Sequence, residues 1–187
     1  MKKILRLIQR LKNNSGSALV EFALVMPILI LLVSGIFEIS MFALINNKLV
    51  RISGTLSNVI SMQNITPVKL MAIMETSDEM AKPLSFLGRG GVVVSQVFNN
   101  GKTTDPANME ISWQYATGSY VSKLGSAGSR PNALPNGLQI LEDESIIITE
   151  VFYTYTPYVF TGFIPNQEIY KISIYVPRLG DMTTLLE

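Results

Sequence analysis

SGSALVEFALVMPILILLVSGIFEISMF, residues 15–42, is the stretch on which the reading of the whole chain turns. From Ser17 to Ile45 there are only two charges, Glu21 and Glu38, and from Phe22 to Phe37 there is none. About twenty apolar residues cross a bilayer, whereas residues 22–37 cover only about 24 Å at roughly 1.5 Å per residue, so flanking apolar residues complete the span. On the N-terminal side the composition changes abruptly. Residues 1–16, MKKILRLIQRLKNNSG, carry Lys2, Lys3, Arg6, Arg10 and Lys12 and no acid. A cationic flank marks the cytoplasmic side of a span, so the expected topology places the N-terminus inside and everything after residue 45 outside.

Three kinds of segment begin this way: an ordinary single-pass anchor, a secretory signal peptide cut near residues 33–35, and a prepilin-type leader cut before the apolar run. A secretory peptide ends its apolar core at a small-residue cleavage site. Here the run continues past Gly35 through Ile36, Phe37, Ile39, Met41, Phe42 and Leu44, which disfavours that reading. A prepilin-type leader needs a small residue at its end and an acid five positions into the mature helix, and Gly16, Ser17 and Glu21 fit. Glu21 sits one turn from Ser17, where the positive end of a helix favours a carboxylate. Its competing reading is a side chain that merely reaches the headgroups. Pro27 reads as a kink of the sort that membrane helices accommodate. Glu38, about 25 Å further along, falls near the opposite interface and is expected to be solvated.

Composition removes whole classes of chemistry. The 187-residue chain has no His, and with it go the usual general base, the usual zinc ligand and every His-based triad. Cys is also missing, so there are no disulfides or thiolate ligands, and the redox compartment cannot be read from cysteine usage. No Ser-x-x-Lys occurs. Outside the leader, ten of the fifteen cations face all fourteen acids, a balance unsuited to a phosphate backbone, so no nucleic-acid partner is expected. Gly88-Arg89-Gly90-Gly91 lacks the following GK[ST] of a phosphate loop and precedes a strand, so it reads as a turn. Glu142, Asp143 and Glu144 lack the alternating spacing of a calcium loop and read as a solvated turn. Neither a cofactor, a metal nor a catalytic residue is expected.

The remainder reads as one α+β domain, residues 46–187, beyond a transmembrane helix of residues 17–45. Leu49, Ile52, Leu56, Val59 and Ile60 recur at helical spacing, so the first helix should continue to about residue 62. Thr66 and Pro67 are a suitable N-cap and first residue for a second helix ending near Ala81, with Leu70, Ile73 and Met74 on its apolar side. After Pro83 the period becomes extended. Four strands are expected, within residues 91–98, around 110–115, 145–158 and 168–178, forming an antiparallel sheet. In the second strand, alternation sets Ile111, Trp113 and Tyr115 against Glu110, Ser112 and Gln114. Residues 99–108 form a turn cluster, and 117–137, rich in Gly, Pro, Ser and Asn, read as a long mobile loop. Phe152, Tyr153, Tyr155, Tyr158 and Phe160 read mostly as core or sheet-face side chains.

The opening stretch resembles the start of TadE-like proteins of tight-adherence (Tad, Flp pilus) systems in Gly16, the Glu21-Phe22 pair, Pro27, and Glu38 after Gly35. VVVSQV, ISWQY, EVFYTYTPYVF and the late VPRLG resemble the C-terminal half of the same family, so the likeness runs through nearly the whole chain. The resemblance implies a pilin-like fold and a non-enzymatic pseudopilin or minor pilin of the bacterial inner membrane, its outer domain periplasmic. It also implies cleavage between Gly16 and Ser17 by a prepilin peptidase, with Glu21 and Phe22 serving helix packing and assembly. The implied partners are inner-membrane lipid, the prepilin peptidase, other pilins or pseudopilins and the Tad assembly platform. The alternative is an unprocessed single-pass protein whose outer domain binds a ligand or a surface.

Overall fold

A computed structural model describes residues 15–62, 65–101, 108–132, 134–178, 182 and 185. Most of the basic leader, and residues 102–107 of the turn cluster, lie outside the described residues. Helix α1, Ser15–Ser61, runs unbroken through Pro27 for 47 residues, which at 1.5 Å per residue is about 70 Å. Its two halves live in different surroundings. Leu19, Phe22, Leu24, Ile28 and Leu31 stand exposed, whereas Ile45, Leu49, Ile52, Leu56 and Ile60 are buried to within 1%. Complete burial of an aliphatic side chain contributes about 1.5–3 kcal/mol, so this stripe holds the domain to α1 with on the order of 10 kcal/mol. Among the described residues, α1 is the helix long and apolar enough to cross a membrane, with a mean hydropathy of 2.5 in its most apolar window.

Helix α2, Pro67–Ala81, starts where local chemistry puts it: Thr66 is extended and its hydroxyl accepts the Lys69 amide, while Pro67 fills the first turn. Leu70 and Met74 are buried against α1 and the sheet, with Ile73 packed beside them. A single helical turn, α3, Phe86–Arg89, leads into strand β1, Gly90–Asn99. The Gly-Arg-Gly-Gly segment is thus a tight entry to a strand. A Cβ on Gly90 would fall 2.7 Å from the Phe152 carbonyl oxygen, and one on Gly91 would strike that of Thr117.

Strands β2, Met109–Thr117, β3, Ser145–Tyr155, and β4, Gln167–Tyr175, complete the sheet. It is four-stranded and wholly antiparallel, in the order β2-β1-β3-β4, so the expected α+β architecture is the one observed. One face carries Val92, Val94, Trp113, Ile147, Val151, Tyr153 and Tyr155 against α1 and α2. Small side chains bring β4 close to α1: Ser53 and Ser173 hydroxyls are 2.9 Å apart, and Ser57 donates to the Ser173 carbonyl. The Arg178 amide donates to the Ser61 carbonyl at 2.8 Å, satisfying an acceptor at the end of α1.

The other face depends on an irregularity that alternation does not anticipate. Gln96 pairs with Trp113 but Val97 with Ile111, so Ser112 is an extra residue in β2. Ile111 therefore packs with Val97, Leu124, Ile140, Ile146 and Ile148 on the outer face, opposite Trp113, rather than sharing a face with it. The loop of residues 117–137 covers that outer face, a packing that its composition does not indicate. Leu124 is buried there, and Ile111 exchanges backbone hydrogen bonds with Gly128 and Ser129.

Candidate functional site

Gly16, Ser17, Glu21 and Phe22 occupy the first turns of α1, all exposed. The Ser17 hydroxyl donates to Glu21 Oε1 at 3.1 Å, so this carboxylate reaches back one turn to residue 17. Phe22 points out from the free half of the helix with its aliphatic neighbours. None of these four residues meets the sheet domain in a hydrogen bond or ring contact shown among the described residues. At 1.5 Å per residue, Glu21 lies about 25 Å along α1 from Glu38, where contact with the domain is established.

Glu38 is where the structure corrects the sequence. Instead of being solvated it is 6% exposed, and both carboxylate oxygens are engaged by the segment after β3. Oε1 accepts the Tyr155 hydroxyl and the Tyr158 amide, the latter at 3.0 Å, while Oε2 accepts the Val159 amide at 2.8 Å. The Tyr158 amide also lies 3.1 Å from Oε2 and is shared between the two oxygens. Burying a carboxylate is costly unless donors replace its water, and here a phenol and two amides do so. Ring contacts close the same junction: Phe37 meets Tyr158 edge-on, and Phe42 meets Tyr155. Burial and the Glu38 carboxylate together push the Tyr155 hydroxyl well above its ordinary pKa.

A second buried carboxylate, Glu150 on the outer face of β3, escaped the sequence reading altogether. It accepts the Ser122 hydroxyl, the Lys123 amide at 3.0 Å and the Tyr170 hydroxyl at 2.9 Å, fastening the long loop to the sheet. Lys123 adds an ion pair to Glu168 at 3.0 Å and lies over the Tyr170 ring, 4.3 Å from its centroid. Burial, followed by Glu150, raises the pKa of Tyr170. These groups form a structural clasp that binds the long loop to β3 and β4. Glu142, Asp143 and Glu144 are exposed, and among the described residues no group of three or more potential ligands gathers to hold a metal ion.

A signal for Glu38 was present. The buried stripe of α1, followed backwards from Ile52 through Leu49 and Ile45, arrives two turns earlier at residue 38, so this acid lies on the domain-facing side of the helix. Its partners carry no such signal, because they lie more than a hundred residues away. Comparison with known proteins places the same helix in context. No curated protein and no solved structure matches the chain, and the strands, for all their likeness in pattern, lie outside the region of family similarity. Residues 16–51 match the family described as TadE-like protein, so the segment that carries Gly16, Ser17, Glu21, Phe22 and Glu38 is TadE-like.

Proposed function

We propose that this chain is a pseudopilin or minor pilin of a Tad (Flp-type) pilus system, anchored in the bacterial inner membrane by α1 and acting in assembly rather than catalysis. One observation carries the reading: a TadE-like helix divides into a free apolar half and a half that forms the core of a sheet domain. Such a division lets lipid or neighbouring helices cover the first half while the second half presents the domain outside. A prepilin peptidase cuts between Gly16 and Ser17, removing the cationic leader and leaving Ser17 as the new N-terminus. The Ser17–Glu21 hydrogen bond supports the next step, since a carboxylate that reaches residue 17 within one helix is also placed to receive an ammonium from a packed neighbour. Phe22 packs against the same neighbour. The partners in this scheme are the peptidase, other pilins or pseudopilins and the assembly platform.

Intact-mass measurement and N-terminal sequencing of the protein from cells with and without prepilin peptidase test the reading. The expected result is a chain beginning at Ser17 in the first case and one retaining residues 1–16 in the second. The same uncut N-terminus in both would overturn it.

A further inference from the structure

The connection from β3 to β4 is fastened to α1 at Phe37 and Glu38, where the free half of the helix meets the domain. From Ser17 to Glu38 the helix rises about 32 Å, close to the hydrocarbon thickness of a bilayer of about 30 Å. With α1 across a membrane, Glu38 and the loop that holds it stand at the outer boundary. That loop suits such a place. No charged residue occurs between Glu150 and Glu168. Phe163 at its tip is 91% exposed, beside exposed Tyr158, Val159 and Ile164. Large apolar side chains exposed together in one uncharged loop mark a contact with something apolar.

The backbone fits the same environment. The amides of Tyr158 and Val159 are taken up by Glu38, and those of Gly162, Phe163 and Ile164 all point to the Phe160 carbonyl at 3.0 Å. The loop therefore presents rings and aliphatic side chains while these five amides turn to acceptors of the chain itself, which lowers the cost of bringing backbone toward lipid. We propose that this loop is a second membrane contact. Phe163 and Ile164 seat in the phospholipid headgroup and upper acyl region beside α1, with Tyr158 at the interface, where aromatic rings are favoured. The surface is continuous with the lipid-covered side of α1 through the Phe37–Tyr158 contact, and it fixes the tilt of the domain against the membrane. The inference rests on α1 spanning the membrane.

Because the chain has no Cys, single labels can be placed on the full-length protein reconstituted in vesicles of phosphatidylethanolamine and phosphatidylglycerol. Phe163→Cys reports on the loop, Ala127→Cys on an exposed site in the long loop beside the membrane-distal end of β2, and Ile30→Cys on the helix. Each variant carries an environment-sensitive fluorophore, quenched by lipids spin-labelled at a shallow acyl position or by aqueous iodide. A label seated about 5–10 Å into the interface should be quenched by lipid at least about twofold more at residue 163 than at 127. Strong lipid quenching at residue 30 with none at 163 overturns the loop contact while leaving the span intact. Absence of quenching at residue 30 overturns both. Protection of residue 163 from iodide without lipid quenching overturns the lipid contact in favour of a protein partner.

Discussion

At the scale of single residues, α1 carries two carboxylates whose chemistry differs because their surroundings do. Glu21 is exposed one turn from Ser17, whereas Glu38 is enclosed by Tyr155, Tyr158 and Val159. Replacing Glu38 by Ala strands a phenol and two amides, which should loosen the segment after β3 by roughly 3 kcal/mol. Hydrogen exchange at the Tyr158 and Val159 amides should then accelerate about 100-fold, while amides in the middle of β1 stay protected. Tyr155→Phe removes one donor of the three and should cost less, about 1–2 kcal/mol. In the double variant the costs should fall short of their sum, because the two residues share a bond. Equal exchange in Glu38→Ala and the parent would show that the carboxylate holds nothing. The two raised tyrosines predict a pH dependence of definite sign. Their folded pKa values exceed the ordinary value of about 10, so the folded chain keeps protons that the unfolded chain has lost. The stability they confer is whole below about pH 10 and is lost as the pH climbs above it. Thermal melts followed by Trp113 fluorescence should fall through that alkaline range, and more gently in a Tyr155→Phe, Tyr170→Phe variant. That Glu21 reaches back to Ser17 was legible from the sequence because the two residues lie one helical turn apart. The clasp on Glu38 was not, because its two halves meet only after the sheet has formed.

At the scale of elements, legibility follows the same division between local and distant causes. The Thr66 cap and Pro67 set the start of α2 without help from the rest of the chain, and the β-branched run Val92–Val94 marks β1 on its own. The extra residue at Ser112 belongs to a pair of strands rather than to either strand, so alternation along β2 assigned Ile111 to the wrong face. In the same way the composition of residues 117–137 announced a loop but not Leu124 and Ser122, the side chains that bind it to the sheet. Gly90 and Gly91 show an element whose reason lies across the sheet. Gly91 pairs with Phe152 of β3 one residue before β1 begins to pair with β2, and a Cβ there would meet the Thr117 carbonyl oxygen and, at 2.8 Å, the Tyr120 ring. Gly91→Ala should therefore destabilise the domain by about 1–3 kcal/mol, since the Thr117 backbone at the end of β2 has little room to retreat. Gly88, where a Cβ meets nothing within 4 Å, should accept the same change at little cost. Denaturant unfolding of the two variants in mild detergent makes the comparison, and equal stabilities would refute the crowding argument.

At the scale of the whole molecule, one helix joins two regions that are separately stabilised. The domain is held by the buried stripe from Ile45 to Ile60 and by the Glu38 clasp with Phe37 beside it, and the free half before them, from Ser17 to Ile36, contributes no residue to the buried cluster. A substitution near the free end should accordingly leave the fold alone and change only what α1 meets in the membrane. Glu21→Ala is the sharpest case. Its side chain touches Ser17 and lies about 25 Å along the helix from Glu38, so melting of the domain should shift by no more than about 0.5 kcal/mol. Membrane insertion should also survive, because removing a charge from an apolar segment makes insertion easier. On the proposed assembly role, what should fall, several-fold, is co-purification with pilins from detergent extracts of cells that make the pilus, since the variant would offer no carboxylate to a neighbouring N-terminal ammonium. Glu21→Gln, which keeps the shape and a hydrogen-bond acceptor but not the charge, should recover only part of the loss. Glu38→Ala gives the opposite pattern, a loosened domain edge with the N-terminal carboxylate untouched. If Glu21→Ala co-purified as the parent chain does, the carboxylate would be a headgroup contact and the assembly role of the helix end would fall.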